Sequence, residues 1–379
     1  MAAFRIGWPS VLAWRVRRQQ LAERAPRGEA LSVVERIAGL HAQLTASAEL
    51  TLWARVSGLR RDDVSRALWD ERSLVKTWAM RGTLHLLPAT ELGLWVAAQG
   101  ALKPRYEVGS WLRHHGLERD QAEAMVAAIP AALDGRQLTR EELAAEVARI
   151  TGIEGLDGKL RGGFGDLLKP AAFRGDLCFA PSDGRNVRFA RPDQWLGAWE
   201  PVDVDQAARA VARRYLAAYG PADGEALARW FGMTSPALAG RWLEGLGDGA
   251  VTVEVEGEEL VMLASDVEEA AAAGPSGVVR LLPAFDHYTV AAPRDRDPVL
   301  PTDRRARVYR PQGWLSPVLL VDGRMAGVWS HERRGDRLAV AIEPFGRLLR
   351  AQRTGAEAEA AALAQFLGGE LELTFARRR

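Results

Sequence analysis

The chain has 379 residues, 47% hydrophobic and 26% charged, the balance of a globular protein rather than a disordered or membrane-embedded one. Its formal net charge is +1, which excludes a global basic field as the basis of binding to a polyanion. The single cysteine, Cys178, excludes an internal disulfide and a cysteine-based zinc site.

The length points to two or more domains. No apolar run approaches the roughly 18 residues of a membrane span, and the N-terminal "MAAFRIGWPSVLAWRVRRQQ" is interrupted by arginines instead of forming a signal-peptide core. A cytoplasmic protein is expected. Among the 50 basic residues only Lys76, Lys103, Lys159 and Lys169 are lysine. With abundant Ala and Gly this reads as a codon bias, so only local clustering of arginine carries information.

In chain order, "LSVVERIAGL" places Val33, Val34, Ile37 and Leu40 on one helical face. A helix is predicted from Asp62 to about Asp70. "SLVKTWAM", a tight "RGT" and "LHLLP" then read as a hairpin, with Gly82 at the turn. Helices followed by a short hairpin is the order of a winged helix. The order recurs. Residues 120–149 are helical, and Thr139 lies three residues before Glu142, a capping box. "GKLRGGFGDLLKPAAFRGDL" reads as a glycine-punctuated helix, and "LCFAPSDGRNVRFARP" as a hairpin turning at "SDGR". In the third pass "QAARAVARRYLAAYG" is a helix stopped by Gly220 and Pro221. "DGEALARWFG" and "SPALAGRWLEGL" are short helices, and "AVTVEVEGEELVML" is a strand pair. Beyond "AAAGPSG" the segments "VVRLLPAF", "HYTVAAP", "ARVYRP", "SPVLLVDGRMAGVWS" and "DRLAVAIEPF" read as short strands, suggesting a small barrel or sandwich. "GAEAEAAALAQFLGG" is a closing helix and "ELELTFARRR" a last strand.

His114 and His115 are adjacent, so their side chains diverge on a helix, and no HxxxH or carboxylate at ligand spacing accompanies them. No metal is expected. No phosphate-loop or dinucleotide motif occurs, and "RGGFGDLLK" has the wrong spacing for either. There is no GxSxG, and Cys178 sits in an apolar strand. The turns "AMRGTLH", "SDGRNVR" and "HERRGDR" put Arg81, Arg185, Arg333 and Arg334 at hairpin tips. Wings of this kind lie along a nucleic-acid backbone, where a forked positive donor meets phosphate; surface turns in an arginine-rich chain also carry arginine by chance. His85, between Leu84 and Leu86, either contacts DNA from a wing or faces water.

The stretch "GLHAQLTASAEL" sets His41 and Gln43 among apolar positions. On a continuous helix they lie about 200° apart and share no substrate. They converge only where the chain is extended or turning, because alternate residues then share a side.

"GLHAQLTASAELTLWAR", "SLVKTWAMRGTLHLLPA", "LCFAPSDGRNVRFARPDQWL", "RRYLAAYGPADGEALARWFG", "VVRLLPAFDHYTVA" and "GWLSPVLLVDGRMAGVW" together resemble, in order, the bacterial winged-helix DNA glycosylases of the AlkZ/YcaQ type. These are enzymes of azinomycin-type self-resistance and interstrand cross-link repair. The resemblance implies an α+β fold of three tandem winged helices and a C-terminal β-barrel, C-shaped around a DNA-sized channel. The domains would be 1–98, 99–200, 201–274 and 275–379. The family's catalytic signature is Gln-aliphatic-Gln, or Gln-aliphatic-Asp. Here His41-Ala42-Gln43 matches it, with Gln43 retained and His41 replacing the first glutamine.

The resemblance further implies a monofunctional glycosylase acting on alkylated purines, N7-guanine foremost, in double-stranded DNA. It would act as a monomer, nucleoid-associated, without a cofactor. His41 and Gln43 would be catalytic, and Arg81, His85, Arg185, Arg333 and Arg334 would contact DNA. Alkylation at N7 leaves the base cationic and already a good leaving group, so the task is to deliver water to C1′. Neutral Gln43 can accept a hydrogen bond from that water; neutral His41 can do so and also accept a proton. Competing readings are a non-catalytic winged-helix DNA-binding regulator, recognised by binding to an unmodified promoter, and a protein-binding scaffold, recognised by salt-insensitive binding.

Overall fold

The structure, a computed structural model, describes residues 4–376 apart from 164, 294, 295 and 297, and apart from the side chain at 105. Contacts divide the chain into two compact units, residues 65–211 and residues 1–64 with 212–379.

The unit 65–211 contains two of the predicted hairpins. Leu74–Trp78 pairs antiparallel with Leu84–Pro88. The reversal places Arg81 and Gly82 at positive φ (58° and 66°), which the flexible glycine accepts readily. The helices Arg119–Ala132 and Arg140–Thr151 follow. The second starts at the predicted capping box: the Glu142 amide donates to the Thr139 hydroxyl at 3.3 Å, and the Thr139 amide donates to the Glu142 carboxylate at 2.8 Å. The glycine-rich segment forms two short helices, Leu156–Arg161 and Lys169–Phe173, instead of one. The hairpin Cys178–Asp183/Asn186–Ala190 gains a third strand, Leu138–Thr139. The hairpins share one core, where Trp78 meets Phe179 at 4.9 Å and Phe189 at 6.1 Å between ring centres.

In the other unit the N-terminal strand Phe4–Arg5 pairs parallel with Ala250–Val255, whose hairpin partner is Glu258–Leu263. The helix Trp8–Arg18 then lays Arg15 against the end of the helix Val204–Tyr219, donating to the Gly220 and Pro221 carbonyls at 2.9 and 3.0 Å. The start of the chain thus completes the sheet of the third helix-and-hairpin pass.

The expected C-terminal barrel is an open sheet. Five strands run in the order Val279–Leu282, Val318–Val321, Arg324–Arg334, Arg337–Pro344, Glu370–Phe375. Among the described residues no pairing joins the first and last strands of this order, and the last strand returns parallel to its neighbour through the helix Arg350–Leu367, which covers a sheet face. That helix buries Ala356, Ala360, Leu363 and Ala364, the i, i+4, i+7, i+8 stripe of an amphipathic helix. Its approach requires a glycine, since a Cβ on Gly355 would lie 2.8 Å from Val279. Two segments expected as strands are helical, His287–Ala291 and Arg305–Val308. The first is set by Asp286, whose carboxylate accepts from the Tyr288 amide at 2.8 Å.

Candidate active site

The helix Ala30–Arg36 stops before the His41 segment. Ala38 and Gly39 turn into the left-handed region, and the Gly39 amide reaches back to the Val34 carbonyl at 2.9 Å. This is a Schellman-type ending, which satisfies carbonyls the helix leaves open. Leu40–His41 is extended, Gln43 and Leu44 form a bend, and the helix Thr45–Trp53 begins after it. The chain therefore leaves the helix before His41 and is not helical from there through Gln43. Depth separates them. His41 is 4% exposed, whereas Gln43 is exposed. Glu49 on the following helix is partly buried, which raises its carboxyl pKa against an opposing pull from Arg61.

Polar side chains from distant parts of this unit hold the segment. Ile37, at the helix end, presents its carbonyl to the Tyr219 hydroxyl at 2.6 Å, and His287 Nδ1 lies 3.2 Å from the same oxygen. Arg55 and Asp286 are both fully buried and joined by two contacts of 2.7 Å. A forked guanidinium matches a carboxylate in this two-point geometry. Arg55 also donates to the Thr51 carbonyl at 2.8 Å and to Gln19 at 3.1 Å. Breaking such a pair leaves an uncompensated buried charge, costing roughly 3–5 kcal/mol.

Asp286 in turn fixes its neighbour Phe285, whose φ is 60°. A bulky residue holds that conformation only where its surroundings impose it. The Phe285 ring stacks on His41 with centres 4.9 Å apart and planes 12° from parallel. The same ring meets Trp314 edge-on at 5.1 Å. A buried imidazole is thus roofed by aromatic carbon beside an exposed carboxamide, which donates and accepts hydrogen bonds without carrying charge. A cavity of about 570 Å³ in the same unit, lined by Pro9, Asp322, Arg324 and Phe345 among others, includes neither residue.

The structure corrects the expectation for His85, which is fully buried, with Nδ1 2.9 Å from the Thr83 carbonyl and Nε2 3.5 Å from Arg81. Both faces of its strand are covered, so alternation with leucine did not turn it outward. Arg81 is partly buried in the turn beside it. Arg185 is exposed at its hairpin tip. Arg333 is exposed but donates to the carbonyls of Leu367 and Gly368, ending the helix Arg350–Leu367. Arg334 pairs with Glu332 at 2.8 Å in solvent. Cys178 is fully buried, and burial pushes its thiol pKa far up.

Phe285, Asp286, Arg55, Tyr219 and Trp314 were not singled out from the sequence. The signal was present in two places. Arg55 interrupts the apolar "TLWARV", and Asp286 precedes a short apolar run as an N-cap residue does.

The family described as AlkZ-like DNA glycosylases matches residues 34–366. The chain is 37% identical over 369 residues to an interstrand DNA cross-link repair glycosylase of Streptomyces sahachiroi, covering 95% of this chain and 96% of that protein. It is also similar to the solved structure of Streptomyces sahachiroi DNA glycosylase AlkZ, with a TM-score of 0.87 at 36% identity over 98% of this chain and all of that one. Among the described residues no helix is long and apolar enough to cross a membrane.

Proposed function

The chain belongs to the AlkZ-like DNA glycosylase family, and from that premise we propose that it is a DNA glycosylase of interstrand cross-link repair, excising N7-alkylated guanine from duplex DNA. The reading extends to bulky natural-product adducts and thus to antibiotic self-resistance. It takes each helix-and-hairpin unit as a winged helix, with the domain limits 1–98, 99–200, 201–274 and 275–379. The observation that carries the reading is the non-helical path of His41-Ala42-Gln43, which bends at Gln43 and sets an exposed carboxamide two residues from an imidazole stacked on Phe285.

In this mechanism a water oxygen bonds to C1′ as the C1′–N9 bond breaks. The electron pair of that bond neutralises the cationic base, which leaves without protonation. Gln43 accepts a hydrogen bond from the water and orients it. His41 holds the same water from the buried side and takes its proton. Such assistance is typically worth about 10²–10⁴-fold. The product is an abasic site, with no lysine adduct and no strand cleavage, the outcome of a monofunctional enzyme. A neutral pair suits a cationic lesion: it supplies orientation without tightly binding every passing cation, as a carboxylate would.

The hairpin arginines Arg81, Arg185, Arg333 and Arg334 are proposed as phosphate contacts, Arg185 foremost because it is exposed at its tip. The test is incubation with duplexes carrying N7-methylguanine or a bulky N7-guanine adduct. Free modified base and alkali-labile abasic sites are expected. Tight binding to an unmodified sequence, with no base released from either duplex, favours the regulator instead.

A further inference from the structure

Trp314 occupies an unusual place. Large aromatic side chains carry much of the core of this unit, yet Trp314 is 43% exposed. Leu44, which follows Gln43, is 41% exposed. The loop bearing Trp314 is tightly built. Arg310 N–H donates to the Trp314 carbonyl at 2.9 Å, Tyr309 bridges to Leu315, and Gln312 and Gly313 sit at φ 60° and 75°. The Tyr309 hydroxyl ties it to the Thr289 carbonyl at 2.9 Å. The indole is thus presented by a fixed turn, beside the exposed Arg310.

The rings form a series from inside to outside: His41 on Phe285 at 4.9 Å, then Phe285 on Trp314 at 5.1 Å. Trp314 lies two ring contacts from His41, a step that a planar group attached to a base through several atoms bridges more readily than a methyl group does. Tryptophan offers a wide, rigid π-face at little cost in conformational entropy.

Resting on the reading of His41 and Gln43 as the excision site, we propose that Trp314 is a specificity-determining residue whose exposed indole stacks on a planar aromatic group carried by the lesion, outward of the alkylated guanine. Small alkyl lesions do not use it. Bulky aromatic ones gain affinity from it.

The test measures binding without turnover. Two duplexes carry 7-deazaguanine bearing at C7 either a methyl or a naphthylmethyl group; carbon at position 7 removes the cationic leaving group, so the base stays in place. The wild-type protein is expected to prefer the naphthylmethyl duplex by about ten-fold, the scale of one aromatic stack. Trp314→Ala removes the preference while its affinity for the methyl duplex and its melting temperature hold, and Trp314→Phe keeps most of it. A preference unchanged in Trp314→Ala overturns the proposal, as does an equal loss on both duplexes or no preference in the wild type. The excision reading is judged separately, by base release from N7-methylguanine, so the two can fail independently.

Discussion

The same chemical pair, an arginine and a carboxylate, occurs in two regions with opposite consequences. Arg55 and Asp286 are fully buried and joined at 2.7 Å, while Arg334 and Glu332 sit at a hairpin tip, 62% and 65% exposed, joined at 2.8 Å. The distances are nearly equal and the environments are not. In the interior neither charge has water to fall back on, so the pair and its hydrogen bonds to Gln19, Thr51 and Tyr288 fix backbone positions. At the tip, water competes for both partners, and the guanidinium stays available to another anion. The Glu332 bond favours the charged form of Arg334, a guanidinium that is protonated at physiological pH in any case. In the proposed mechanism the buried network would position the His41 segment, and the exposed tips would meet phosphate.

Substitutions at the two places should diverge sharply. The largest effect is expected at Asp286→Ala, which leaves Arg55 charged and unpaired in the interior and should destabilise the fold by about 3–5 kcal/mol, read by denaturant titration. A loss below about 1 kcal/mol would mean that water enters this region and that the contrast with the tip is false. Next is Tyr219→Phe, which removes one buried hydrogen bond to the Ile37 carbonyl and should cost about 1 kcal/mol. Excision should fall with it, because that carbonyl anchors the turn leading to His41. Smallest is Arg334→Ala, expected to leave the unfolding midpoint unchanged. Arg185→Ala should likewise spare stability but lower DNA affinity across all sequences and flatten the salt dependence by about one unit of slope. An unaltered slope removes Arg185 from the interface.

Much of the fold was legible because it is written locally. The "RGT" and "SDGR" turns, the Thr139–Glu142 box and the closing alanine-rich helix all depend on residues within a few positions of one another. The barrel failed because closure depends on pairing across the whole C-terminal region, and a parallel return through a helix has no local signature. "HYTVAAP" and "ARVYRP" misled because segments this short lack a resolvable period. At the candidate site, the condition on His41 and Gln43 was legible: the chain had to leave the helix before residue 41, and it does. The depth of His41 was not, since Phe285 covers it from more than two hundred positions away in the chain. His85 failed for the same reason. Period-two alternation assigns faces of a strand but cannot say that both are covered.

Gln43, exposed at the bend, is the residue proposed to orient the attacking water. Single-turnover release of N7-methylguanine should fall by at least about 100-fold in Gln43→Ala, while affinity for the same lesion-bearing duplex stays nearly the same. Release at the wild-type rate, or a matching collapse of binding, would contradict it.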